Sequence, residues 1–88
     1  MESIENKIIA LLMKLNYKKR KINDYEIYES EGKYLKLTFL NLLDSYVIEY
    51  ADSYDEAKKN LFEDGDLYPV SMDDDVLICK MRDEIINS

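Results

Sequence analysis

The stretch Tyr25-Glu26-Ile27-Tyr28-Glu29-Ser30-Glu31-Gly32-Lys33-Tyr34-Leu35-Lys36-Leu37-Thr38-Phe39-Leu40 decides the fold. Tyr25 to Ser30 alternates and reads as a strand. Lys33 to Leu40 reads as a second, with Leu35, Leu37 and Phe39 on one face and Tyr34, Lys36 and Thr38 on the other. Glu31-Gly32 between them fits a tight hairpin turn, in which glycine takes a positive φ without steric cost. Asn41-Leu42-Leu43-Asp44 is a second turn, with unusually apolar middle residues. Tyr46 to Ala51 then forms a third strand, with Tyr46, Ile48 and Tyr50 sharing a face. Strands joined by connections this short make an antiparallel meander.

Helices flank the meander. Ser3 is a suitable N-cap, and Ile4, Ile8, Leu11, Leu12 and Leu15 recur at helical spacing after it. Lys18-Lys19-Arg20-Lys21 reads as a solvated basic linker. Ser53-Tyr54-Asp55-Glu56 has the pattern of a capping box, with serine at the N-cap and glutamate three residues on. The second helix is expected to carry Tyr54, Ala57, Leu61 and Phe62 on one face and to stop at Gly65. Asp66 to Val70 reads as a loop. Ser71 then caps a third helix, with Asp73, Asp74 and Asp75 in its first turn and Leu77, Ile78, Met81 and Ile85 as its apolar face. A strand over Val76–Met81 is the competing reading. The expectation is α+β, in the order α-β-β-β-α-α: a three-stranded antiparallel meander packed by helices. One sheet face is covered, and the other, carrying Tyr28, Lys36 or their neighbours, is open.

Residues 1–88 are enough for one domain, and a hydrophobic fraction of 47% is too large for a disordered chain despite 35% charged residues. No apolar run reaches the roughly 20 residues of a membrane span. The start, Met1-Glu2-Ser3-Ile4-Glu5, lacks the positive charge of a secretory signal. A lone cysteine, Cys79, forms no internal disulfide and suits a reducing compartment. A cytoplasmic protein is expected, with Cys79 buried in the third helix.

Catalytic chemistry is poorly supplied. There is no histidine, Cys79 has no base beside it, and no glycine-rich loop could cradle a phosphate. Paired carboxylates can hydrolyse glycosides, but they need a cleft deeper than so short a chain readily builds. Asp64-Gly65-Asp66 and Asp73-Asp74-Asp75 bring oxygens together, yet a calcium loop starting at Asp64 would place Pro69 where its glycine belongs and Asp75 where its glutamate belongs. The expectation is a protein that is not an enzyme and holds neither metal nor cofactor.

Charge is more informative. Residues 1–44 carry a net +1 and residues 45–88 a net −8. Between Glu49 and Asp75, ten acids stand against Lys58 and Lys59. Such a field repels nucleic acid and anionic membranes and attracts basic protein surfaces. The high tyrosine content adds residues suited to interfaces, since tyrosine offers large contact area and tolerates water. Glu63, Asp64 and Asp66 would close the second helix, against its dipole, and Asp73, Asp74 and Asp75 would open the third. With Tyr68 between them as an aromatic anchor, these residues form the expected protein-binding site. A monomer or weak dimer is expected, with Leu42 and Leu43 the apolar residues left unexplained.

The segment from Tyr54 to Pro69, with Phe62-Glu63-Asp64-Gly65-Asp66 and Tyr68-Pro69 at its centre and Asp73-Asp74-Asp75 following, resembles small acidic polymorphic-toxin immunity proteins of low-GC bacteria. The element order, with Tyr46-Val47-Ile48-Glu49 before an acidic helix pair, is similar to a small phage anti-CRISPR inhibitor that imitates DNA. Both resemblances imply a non-enzymatic inhibitor that docks by negative charge. Its partner would be a basic protein surface, on a nuclease toxin or on an RNA-guided effector. An acidic accessory domain with no specific partner is the remaining alternative.

Overall fold

The computed structural model describes residues 3–88; Met1 and Glu2 lie outside the described residues. The elements are α1 (Ile4–Lys14), β1 (Lys18–Ile22), β2 (Tyr25–Ser30), β3 (Lys33–Leu40), a 3-10 turn (Asn41–Leu43), β4 (Ser45–Ala51), α2 (Tyr54–Lys58), β5 (Glu63–Pro69) and α3 (Asp74–Ile86). The fold is α+β, as expected. The sheet is larger than expected: five antiparallel strands in the order β1-β2-β3-β4-β5, a continuous meander.

Both additional strands have local causes. Lys18–Ile22, expected as a linker, is β1. Asn23 and Asp24 both take positive φ, 48° and 73°, the geometry of a tight hairpin turn between twisted strands. Ile22 is buried at the end of β1, and its register opposite Tyr25 anchors the strand. Glu63–Pro69, expected as a helix end and a loop, is β5. Helix α2 ends at Lys58, well before Gly65, because Asn60 takes the left-handed conformation at φ 58°. The Asn60 N–H then bonds Ala57 O at 3.1 Å and the Leu61 N–H bonds Glu56 O at 2.8 Å, a Schellman closure. The same device ends α1: Asn16 has φ 68°, with Asn16 N–H to Met13 O and Tyr17 N–H to Leu12 O, both at 3.0 Å.

Helix starts match the sequence more closely. Ser3 Oγ accepts from Asn6 N–H at 3.2 Å, and Ser53 Oγ accepts from Glu56 N–H at 3.1 Å. The Glu56 carboxylate reaches back to the Asp52 N–H, one residue before the cap, a variant of the expected capping box. Helix α3 is capped by Asp73, whose carboxylate accepts from Asp75 and Val76 N–H, in place of the expected Ser71. Val76–Met81 is helical.

Two cores sandwich the sheet. On one face, Ile8, Leu11 and Leu12 of α1 and Leu77, Met81 and Ile85 of α3 pack on Tyr28, Leu35, Ile48 and Tyr68. Each fully buried aliphatic side chain here contributes about 1.5–3 kcal/mol. Tyr28 therefore lies under the helices and not on an open face. On the other face Ile22, Ile27, Tyr34 and Ala51 gather around Ala57 of α2, with Tyr25 and Phe62 at the margin. Five residues of helix cover only part of that face, and Lys36 remains there, its ammonium over the rings of Tyr25 and Phe62. Cys79 is exposed, not buried, because the buried stripe of α3 runs through Leu77, Met81 and Ile85. Leu42 is 100% exposed at the tip of the β3–β4 connection. Among the described residues, no helix is long and apolar enough to cross a membrane.

Gly65 sits inside β5, where a β-carbon would lie against the Glu84 carboxylate and 2.9 Å from Ile48 O. Gly65→Ala should therefore lower stability by about 1–3 kcal/mol, measured by urea denaturation. A neutral Gly65→Ala would show that β5 is not held this closely to β4 and α3.

Candidate functional site

The acidic edge is organised around one carboxylate. Glu84, in the last turns of α3, accepts hydrogen bonds from Tyr50 Oη of β4, from Tyr68 Oη of β5 at 2.6 Å and from the Asp66 N–H at 2.9 Å. It lies one turn beyond Met81 on α3, so the helix delivers it to the sheet surface with the core residues. Burial, reinforced by the Glu84 carboxylate, pushes both the Tyr50 and Tyr68 hydroxyls far above the ordinary phenol value of 10.0. Both phenols donate to the same acceptor, so the group is a structural tie between α3, β4 and β5.

This tie explains the fate of Tyr68. Expected as an exposed anchor, it is only 3% exposed, because its ring fills the core under α3 while its hydroxyl reaches Glu84. Its neighbours in the strand point outward: Glu63, Asp64 and Asp66 are exposed along β5, an outer strand of the sheet. Because they lie in a strand, the helix-dipole argument made for Glu63 and Asp64 does not apply to them. None of the three is in an ion pair among the described residues. Asp52, beyond β4, shares a shallow crevice of about 340 Å³ with Glu63, Asp64 and Asp66. Asp83 shares another, of about 740 Å³, with Asp66, Glu84 and Lys80.

The second expected acidic group serves other purposes. Asp73 caps α3, and Asp74 pairs with Lys7 of α1 at 3.1 Å. Asp75, in the same first turn, lines a groove with Lys7, Lys14 and Arg82. Ten residues of α3 separate Asp74 from Glu84, roughly 15 Å of helix rise. The fold does not unite Asp73–Asp75 with Glu63–Asp66; it replaces them there with Asp52, Asp83 and Glu84. Glu84 was findable from sequence, as a carboxylate adjoining the apolar stripe Leu77, Met81 and Ile85. Asp52 and Asp83 carried no such signal.

Among the described residues, no three His, Cys, Asp or Glu gather as metal ligands. Comparison with family models, with curated proteins and with solved structures finds no match.

Glu84→Ala would leave the half-buried Tyr50 phenol and the Asp66 amide without their acceptor and Tyr68 Oη with only a long bond to Lys80 O, and should cost about 1–3 kcal/mol on thermal or urea unfolding. Retained stability would show that water replaces the carboxylate without penalty. The phenols also predict alkaline sensitivity. Their folded values are raised, so the native state binds more protons than the unfolded chain once pH passes 10.0. Their contribution is complete below that pH and is lost as pH rises above it. Tyrosinate absorbance should show Tyr50 and Tyr68 among the phenols that ionise only on unfolding, and Tyr50→Phe and Tyr68→Phe should each remove one of them; reversible ionisation of every tyrosine near the ordinary value would contradict the arrangement.

Proposed function

We propose that this chain is a non-enzymatic acidic binding protein that docks through its β5 edge on a cationic protein surface. The partner chemistry is a groove built for nucleic acid, as on a nuclease toxin, and the chain acts by filling it, as an immunity protein does. The observation that carries this reading is the row Glu63, Asp64 and Asp66, exposed on an outer strand and without ion pairs among the described residues. Five other acids have local partners. Asp73 caps a helix, Asp74 meets Lys7, Glu26 meets Lys19, Glu29 meets Arg20 and Glu49 meets Lys36.

A rigid strand supports such a role better than a loop. Its acids are held by β4 on one side and by the Glu84 tie on the other, so little ordering entropy is lost on docking. Their field extends about 8–10 Å in physiological salt, far enough to guide a cationic surface during encounter. Leu67, exposed in the same strand, supplies apolar contact once the surfaces meet.

The test uses the protein encoded beside this chain's gene, with association followed by biolayer interferometry at low and physiological salt. Asp64→Lys/Asp66→Lys should slow association about tenfold and flatten its salt dependence. Glu5→Lys/Asp55→Lys, the same charge change placed at two helix starts, should leave the rate nearly unaltered. Equal losses from both pairs would reduce the effect to net charge, and unchanged association in the first pair would move the interface off β5.

A further inference from the structure

The two outer strands of the sheet are finished differently. At β5 the Asp66 N–H is taken by the Glu84 carboxylate of α3. At β1, among the described residues, nothing bonds to the backbone of Lys18–Ile22 from the side away from β2. Alternate residues of an outer strand turn N–H and C=O groups outward, so β1 offers an open ladder. Proline, a bulge or a covering element would blunt it, and β1 has none of these. Its protection is charge alone: Lys18, Lys19, Arg20 and Lys21 are consecutive and all exposed.

Charge of one sign repels like strands but selects an unlike one. Lys18 and Arg20 lie on the α2 face of the sheet and Lys19 and Lys21 on the other, so an incoming strand meets cations on both faces. Arg20 is already ordered, 2.8 Å from Glu29 Oε1 and 5.0 Å from the Tyr54 ring. The exposed Lys19–Glu26 pair at 3.4 Å is weak and exchangeable. Lys18 and Lys21 are in no ion pair among the described residues.

We propose that the β1 edge is a docking site for an extended acidic peptide segment, which adds to the sheet beside β1. Backbone hydrogen bonds hold the segment and the four cations select its charge. RNA fits less well: the Tyr54 ring beside this edge is covered by Arg20 and is closed to base stacking. A second copy fits less well too, because its acidic strand β5 has already given the Asp66 amide to Glu84.

The test is an NMR titration of the full chain with a short blocked peptide of alternating glutamate and valine. A second peptide, N-methylated on alternate amides, keeps the charge and loses the ladder donors. The first should shift the amides of Lys18–Ile22 and β2, in a salt-dependent way. N-methylation should weaken binding at least about tenfold, and Lys18→Glu/Lys21→Glu should abolish it with the spectrum otherwise folded. The N-methyl comparison on the unaltered chain stands even if that variant unfolds. Equal affinity for both peptides, shifts centred away from β1, tighter binding of an oligouridylate of equal charge, or self-association of the peptide-free chain through these lysines would each overturn the proposal.

Discussion

A half-buried carboxylate in a small domain must be met by donors, and Glu84 is met by two phenols and a backbone amide. Three elements are fixed by that demand. Helix α3 is held to the sheet at its C-terminal end, β4 is tied through Tyr50, and β5 through Tyr68 and Asp66. Without this tie, β5 would be an outer strand secured on one side only, joined to β4 across an irregular register between Val47 and Glu49. Gly65 belongs to the same constraint, since the strand approaches Glu84 too closely for a β-carbon. Tyr68 is thus spent on the core, and the acids beside it are displayed by a braced strand.

The sequence was legible wherever side-chain period and capping chemistry act alone. The β2–β3–β4 meander, the caps Ser3 and Ser53 and the apolar stripes of α1 and α3 follow from such rules. It was less legible where asparagine did what glycine is expected to do. Asn16 and Asn60 end helices in the left-handed conformation, and Asn23 opens a hairpin turn. Taking Gly65 for a helix stop extended α2 through Phe62 and hid β5. Taking Lys18–Lys21 for a linker hid β1, since a strand exposed at four of five positions has almost no apolar alternation to detect. The acids of the β5 edge were only partly legible for the same reason. Glu63, Asp64 and Asp66 were picked out, but their companions Asp52, Asp83 and Glu84 come from elements whose juxtaposition depends on β5 being a strand.

Local structure also sorts the charges. An acid that caps a helix or meets a lysine is accounted for within the fold, and Asp73 and Asp74 are of this kind. Glu63, Asp64 and Asp66 do no such work. Solvent-exposed like charges on adjacent positions repel one another, and a strand offers no dipole to offset that. Their placement concentrates negative charge along one outer strand of the sheet.

Five strands at about 4.8 Å set the two outer edges roughly 19 Å apart, beyond a Debye length at physiological salt. The acidic and basic edges are therefore screened from each other, and neither neutralises the other's field at its own surface. The sheet between them is rigid, filled on one face by α1 and α3 and partly covered on the other by α2. Charges of opposite sign on one flexible chain would collapse together; on this sheet they are held apart by covalent and hydrogen-bonded geometry. A molecule with net charge −7 can in this way keep four exposed cations in a row at one side. The strands that carry the two edges share no residue and pair with different neighbours, β2 for one and β4 for the other.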